Sequence, residues 1–301
     1  WTPAALGWAK KNEADLSTLE FKEDAKGRLC CAILKKAPEP QSAQSVLPSI
    51  IQQSFSALKL PIAMRWGTET VPFVRTVQWI LCLLDHEVVP VSLYDETSSN
   101  VSYGHRFLSQ AKNSDGAQVT IQTPSDYELA LEQANVIVDT AKRRRTIEEF
   151  VTTHNGGEPI SIPLLNEVQY LVEQPVPMMG QFDDRFLSLP SSVLIECMAK
   201  HQKYFPVFKD GKLTNQFIVI ADNVMDTNAA IILRGNEKVL SARLEDAMFF
   251  WNEDLKHPLS YHRDRLKAVL YQDGLRSIYE KTERLSFVMS DLASLLSQDQ
   301  S

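Results

Sequence analysis

Apolar residues recur at helical spacing along some stretches of the chain and gather in short runs along others. The strongest stripe is Leu240, Leu244, Ala247, Met248, Trp251 and Leu255, at offsets of four, seven, eight, eleven and fifteen residues. Such spacing keeps the side chains on one face. It predicts a helix over Asn236 to Leu255, with Asn236 as its cap. Val46, Ile50, Ile51, Phe55 and Leu58 predict another helix from about Ser45 to Leu58, and a short one spans Ala4 to Lys11. His257-Pro258 ends the long helix, and two more follow it. The last carries Leu285, Val288, Met289, Leu292, Leu295 and Leu296 on one face, which should pack onto something. If the chain is cut at Ser301, that partner lies just beyond it.

Strand signals fill the spaces between. A strand near Arg28 to Lys35 is followed by the break Ala37-Pro38-Glu39-Pro40. Phe73 to Leu84 and Glu87 to Tyr94 are expected to pair around Asp85-His86, and Val136-Ile137-Val138 reads as a compact buried strand. Ser125-Asp126-Tyr127-Glu128 matches a capping box, and Asn155-Gly156-Gly157 suits the left-handed end of a helix. Ser191 or Ser192, after Pro190, should cap a helix reaching Gln202. Tyr204 to Phe208 and Leu213 to Ala221 then form a hairpin across Lys209-Asp210-Gly211-Lys212. The fold class is mixed α/β of the α+β kind. It has a connecting segment at residues 1–60, a central β-rich module at 61–256 and a helical segment at 257–301. No repeat recurs at a fixed period.

Composition narrows the function classes. The 301 residues are 44% hydrophobic and 23% charged, which suits a folded soluble protein of more than one domain. The longest apolar run, Trp79 to Leu84, stops at Asp85, far short of the roughly 20 residues that span a bilayer. No membrane partner is expected, and the location is expected to be cytoplasmic. The chain opens on Trp1, without a basic start or apolar signal core, and is expected to be a segment of a longer polypeptide. Cys30, Cys31, Cys82 and Cys197 lack metal-ligand spacing and read as reduced thiols. A net charge of -7 repels polyanions, so any RNA contact must come from local patches.

The common catalytic signatures are absent: no G-x-G-x-x-G, Walker lysine loop, G-x-S-x-G or H-E-x-x-H. His262 and Asp264 sit two apart on a predicted helix and point away from each other, so no metal is assigned. Four basic-aromatic clusters remain. Met64-Arg65-Trp66-Gly67 with Phe73-Val74-Arg75 supplies Arg65 and Arg75, suited to phosphate contact or to an arginine stacked on tryptophan. In Tyr103-Gly104-His105-Arg106-Phe107 the glycine permits close backbone approach. His105 and Arg106 there meet an anion or form a buried polar corner. In Lys200-His201-Gln202-Lys203-Tyr204-Phe205, Lys200 and Lys203 stand at a helix end, where they also complement the dipole. Arg234-Gly235-Asn236-Glu237-Lys238, continuing to Arg243, presents a helix start with free N–H groups for a phosphate. The denser run Lys142 to Arg145 has Glu148 and Glu149 at ion-pair spacing and reads as a solvated face.

These clusters, in this order, resemble the beta subunit of bacterial-type heterotetrameric glycyl-tRNA synthetase. The likeness is carried by Leu60-Pro61-Ile62, the four clusters, Val136 to Asp139, Leu164 to Val168, His201 to Val207, Gly235 to Leu240 and Glu253 to Lys256, and runs from about Gly7 to Arg284. Departures are Thr76, where the family usually has proline, Ser241, where arginine is common, and Asp273-Gly274-Leu275, where Q-L-G is usual. The Ser241 departure implies a weaker anion contact there.

The resemblance implies a central module similar to the B-domain module of the phenylalanyl-tRNA synthetase beta subunit, with the last helices opening an HD-like domain. It also implies that glycine and ATP, with Mg, meet on the alpha subunit, leaving no catalytic residue and no cofactor here. The partners implied are tRNA(Gly), the alpha subunit or a fused alpha region, and the remaining beta-subunit domains. The function expected is tRNA binding and assembly, through Arg65, Arg75, His105, Arg106, Lys200, Lys203, Arg234, Lys238 and Arg243. Two alternatives stand beside it: an editing-type hydrolase module acting on mischarged tRNA, and a purely structural scaffold.

Overall fold

The computed structural model of the chain describes residues 2–33, 39–68, 72–109 and 116–296. They belong to two units, Trp1–Ser99 and Asn100–Ser301.

In the first unit, helix α1 (Pro3–Lys11) starts where Thr2 accepts a hydrogen bond from the Ala5 N–H. Strands β1 (Leu19–Glu23) and β2 (Leu29–Ile33) pair antiparallel. Leu34 and Lys35 of the predicted strand, and Ala37 and Pro38 of the predicted break, lie outside the described residues. Helix α2 (Ala43–Ser56) begins two residues before its expected start because the Ser42 hydroxyl caps it, accepting from the Ser45 N–H.

The long pairing expected of Phe73–Leu84 with Glu87–Tyr94 contracts to two short hairpins. One joins β3 (Leu83–Leu84) to β4 (Glu87–Val88), and the other joins β5 (Ser92–Leu93) to β6 (Glu96–Thr97). The reason is competition for backbone partners. The chain reverses again at Tyr94 and Asp95, both left-handed at φ 58° and 61°, while Phe73 bridges to Met64 and Leu81 to Ser99. Helix α2 is tied to these hairpins by Gln44 Nε2, donating to the Val88 carbonyl at 2.8 Å, and by Gln52 Nε2, donating to the Ser92 carbonyl at 3.0 Å.

The second unit begins with β7 (Val101–Tyr103) and β8 (Gln118–Thr120), followed by α3 (Tyr127–Gln133), α4 (Thr140–His154) and α5 (Ile162–Val168). Next come β9 (Val176–Gln181) and α6 (Ser191–Glu196), which runs into a π-helical turn at Cys197–Gln202. Strands β10 (Phe205–Lys209) and β11 (Lys212–Ala221) lead to α7 (Ala229–Asp254). Helix α8 (Leu259–Arg265), strands β12 (Leu270–Gln272) and β13 (Arg276–Ser277), and α9 (Ile278–Leu295) complete it.

The centre of the unit is an antiparallel sheet in the order β10-β11-β9. Successive side chains of β11 point to opposite faces. Ile218 and Ile220 join Ile147, Val151, Leu165 and Val168 of α4 and α5, while Phe217 and Val219 join Phe186, Leu194, Met198, Leu240 and Leu244. Buried on both faces, the second half of β11, Phe217 to Ala221, reads as an unbroken apolar run. Each such side chain contributes about 1.5–3 kcal/mol by leaving water. Asp210 and Gly211, at φ 52° and 72°, form the left-handed two-residue turn of the β10-β11 hairpin, as its sequence predicts.

Four local expectations change. Thr123, not Ser125, opens the capping box: its N–H donates to the Asp126 carboxylate at 3.0 Å, whereas Ser125 lies inside the turn. Val136-Ile137-Val138 forms no strand. Ile137 donates to the Glu173 carbonyl, and the Ile137 and Val138 carbonyls accept from Arg143, at 2.5 and 3.0 Å. Helix α6 has Pro190 at its N-cap and no serine cap. Finally, α7 starts at Ala229 after Asn228, so Gly235 and Asn236 lie within it. The run Ala229-Ala230-Ile231-Ile232-Leu233 carries the helix back because Leu233 also packs on the Leu240 and Leu244 core.

Candidate nucleic-acid interface

The sequence offers His105 either to an anion or to a buried polar corner, and the structure places it inside the fold. It is 2% exposed. Its Nδ1 accepts from the N–H groups of Phe107 and Leu108 at 3.2 Å each, and its Nε2 faces the Asp222 carboxylate at 3.3 Å. Two donors at Nδ1 leave the proton on Nε2, so both ring nitrogens are engaged and the imidazole orients a corner. The space above Gly104 is filled by protein as well. A Cβ there would lie 2.6 Å from that of Ala134 and 2.8 Å from its carbonyl oxygen. Arg106 remains exposed on the outside of this corner.

Lys200 and Lys203 are held by carboxylates. Lys200 Nζ donates to Glu196 at 2.7 Å across one helical turn, and that hydrogen bond raises the lysine's pKa and lowers the glutamate's. Lys203, in the left-handed conformation that ends the π turn (φ 61°), pairs with Glu167 at 2.9 Å. Both lysines must exchange a carboxylate for any phosphate they meet.

The expected N–H pocket at Gly235 does not exist, because those amides are spent inside α7. What α7 offers is side chains. Arg234 and Lys238 are exposed one turn apart, with no carboxylate within ion-pair reach among the described residues. At about 100° per residue, Arg243 falls on the opposite flank of the helix from Arg234. There its charge acts on Cys197 of the π turn, whose thiol is pushed up chiefly by burial. The cations predicted on α7 therefore divide between two flanks. Arg65 and Arg75, in the first unit, are both exposed and lie on segments joined by the Met64 and Phe73 bridge, with N···O distances of 2.8 and 3.1 Å.

Two residues to which the sequence pattern gives other roles, Asn236 as a cap and Arg143 on a solvated face, are packing organisers in the structure. Asn236, inside α7, accepts from the Tyr204 hydroxyl at 2.7 Å and donates to the Ile232 carbonyl at 2.8 Å. Tyr204 stacks on Phe217 at 4.8 Å, and burial pushes its pKa up to about 12. Arg143, which the pattern assigns to a solvated face, instead serves three carbonyls, those of Ile137, Val138 and Gln169. The rest of that run behaves more as expected, with Arg144 paired to Glu148 at 3.6 Å. Cys30, Cys82 and Cys197 carry free thiols. Among the described residues, no group of three or more His, Cys, Asp or Glu side chains is placed to hold a metal ion. No helix among them is long and apolar enough to cross a membrane.

A family model described as glycyl-tRNA synthetase beta subunit matches residues 1–301. The glycine–tRNA ligase beta subunit of Syntrophotalea carbinolica is 40% identical over 297 residues, covering 97% of this chain and 42% of the relative. That of Moorella thermoacetica is 38% identical, covering 98% and 42%, and that of Bacillus subtilis is 36% identical, covering 100% and 43%. The chain thus spans about two fifths of the length of the curated relatives it matches. The match over every residue, at these identities, places the chain in the glycyl-tRNA synthetase beta subunit family.

Proposed function

We propose that this chain is the part of a cytoplasmic glycine-tRNA ligase beta subunit that positions tRNA(Gly) and helps assemble the enzyme, while ATP, with Mg, and glycine react on the alpha side. Its own residues make no covalent bond; they hold the RNA by charge. The alpha subunit, or a fused alpha region, and the remaining beta domains are its protein partners. Similarity of the central region to the B-domain module of phenylalanyl-tRNA synthetase belongs to the same reading.

The observation that carries it is the exposed Arg234 and Lys238 pair on α7, free of carboxylates among the described residues, in a family member whose net charge is -7. In a chain that repels polyanions as a whole, an unneutralised cationic pair on a rigid helix is where phosphate attraction concentrates. The test is the salt dependence of labelled tRNA(Gly) binding to the protein. Arg234→Glu with Lys238→Glu should weaken binding severalfold and flatten the log–log salt slope by about 0.9 for each duplex phosphate that the helix no longer neutralises. Lys200→Ala with Lys203→Ala should act in the same direction but less, since each lysine already has a carboxylate. Unchanged affinity and slope in the α7 variant would remove that helix from the interface.

A further inference from the structure

The turn after β7 is capped by a side chain that a proton can disable. The buried His105 ring accepts at Nδ1 from the N–H groups of Phe107 and Leu108, two and three residues on, at 3.2 Å each. That is the bonding of a helix or turn cap, a place usually filled by the oxygen of asparagine or serine. Such an oxygen remains an acceptor at every ordinary pH, and an imidazole nitrogen does not. The other ring nitrogen faces one oxygen of Asp222 at 3.3 Å, while the second oxygen of that carboxylate accepts from the Gln174 N–H at 2.9 Å. The backbone of His105 is tied as well. Its N–H donates to the Ala134 carbonyl at 2.8 Å, and its carbonyl accepts from the Ser109 N–H at 3.1 Å and the Ser109 hydroxyl at 2.6 Å.

We infer that His105 is a proton-sensitive cap, and that closure of the Arg106–Leu108 turn and protonation of the imidazole exclude each other. With its one proton on Nε2, the neutral ring serves Asp222 and leaves the Nδ1 lone pair to the two amides. A second proton can enter only at Nδ1, where it would meet two N–H donors, so the turn must open to admit it. Asp222 gives that proton a reason to bind, because a carboxylate beside an imidazole favours its charged form. Of the other neighbours, α3 presents the Ala134 carbonyl, and Glu132 near the same helix end is already bound to Lys142. Within the turn Arg106 is exposed, and its positive charge opposes protonation. The turn carries Arg106 together with Phe107, which is 64% exposed, so acid frees both side chains at once. This device goes beyond the RNA-holding function and does not depend on it.

The test is amide hydrogen exchange of the protein from about pH 8 to about pH 5, the range over which histidines ordinarily change charge, with intrinsic rates divided out. Protection of the Phe107 and Leu108 amides should fall on acidification by up to about tenfold per pH unit, the limit for one coupled proton. The Ile218 amide in the central sheet should keep its protection. His105→Asn places a neutral acceptor at the cap and should hold the two turn amides at constant protection across the range. Because that variant also loses the contact with Asp222, the second readout is the wild-type His105 ring by carbon and proton NMR. Its resonance should titrate with the midpoint at which turn protection is lost. A ring that does not titrate in this range, turn amides indifferent to pH, or an equal pH response in His105→Asn would overturn the proposal. A parallel loss at Ile218 would overturn it too, since the acid effect would then be global.

Discussion

Tyr204 concentrates at one residue the coupling of the β10-β11 sheet to α7, through its ring on Phe217 and its hydroxyl on Asn236. Burial pushes its pKa from 10.0 to about 12. Between those values the unfolded chain has given up the phenolic proton and the folded chain has kept it. The folded state binds more protons there, and stability falls as pH rises through the window. We predict that the urea midpoint of the protein declines from about pH 10 to about pH 12, and that Tyr204→Phe removes part of this decline. At neutral pH the same variant should lose about 0.5–1.5 kcal/mol with the Asn236 hydrogen bond. Equal alkaline slopes in the two proteins would show that the hydroxyl is solvated. His105 illustrates the same scale differently: the Phe107 and Leu108 amides and the Asp222 carboxylate settle its tautomer, and its burial removes it from the candidate contacts.

At the scale of elements, α7 differs most from its pattern. Its apolar stripe is real, with Leu240 and Leu244 fully buried, but the helix extends to Ala229 and encloses a glycine at which a Cβ would meet nothing within 4 Å. A glycine in a helix interior is destabilising by about 0.5–1 kcal/mol relative to alanine. Gly235→Ala should therefore raise the unfolding midpoint by that order without altering the fold. A lower midpoint would mean that residue 235 sits at a helix boundary, where the apolar stripe alone would put it. The glycine after α4 is the opposite case. Gly156 has φ +79°, and a Cβ there would come within 1.8 Å of the Phe208 carbonyl oxygen, so the Asn155-Gly156-Gly157 end of α4 is built for glycine. The Ser277 and Glu280 capping box likewise pins the start of α9.

For the molecule as a whole, the apolar surface of α9 departs from an ordinary polar exterior. Leu285, Met289 and Leu295 are 53%, 62% and 80% exposed, with Val288 and Leu292 beside them. Such a face binds hydrophobic dyes and promotes association. Val288→Lys with Leu292→Lys should lower dye binding and self-association while shifting stability by no more than about 0.5 kcal/mol. A large drop in stability would show that the face is packed in solution. The family, the β10-β11 hairpin, α1, α9 and the buried stripe of α7 were all readable from residue order, because periodicity and turn chemistry act within a few positions. The interface was less so: of the basic-aromatic clusters, one histidine turned inward, two lysines met glutamates, and the α7 cations fell on two flanks of one helix. The Glu196 partner of Lys200 is one helical turn away and legible in the sequence, but the other outcomes depend on Asp222, Glu167 and the start of α7, which lie far along the chain or beyond the motif. Local sequence carries the energetics of turns, caps and amphipathic faces. The packed tertiary structure determines whether His105, Arg143 and Lys203 face water, because each is decided by a partner brought close by folding.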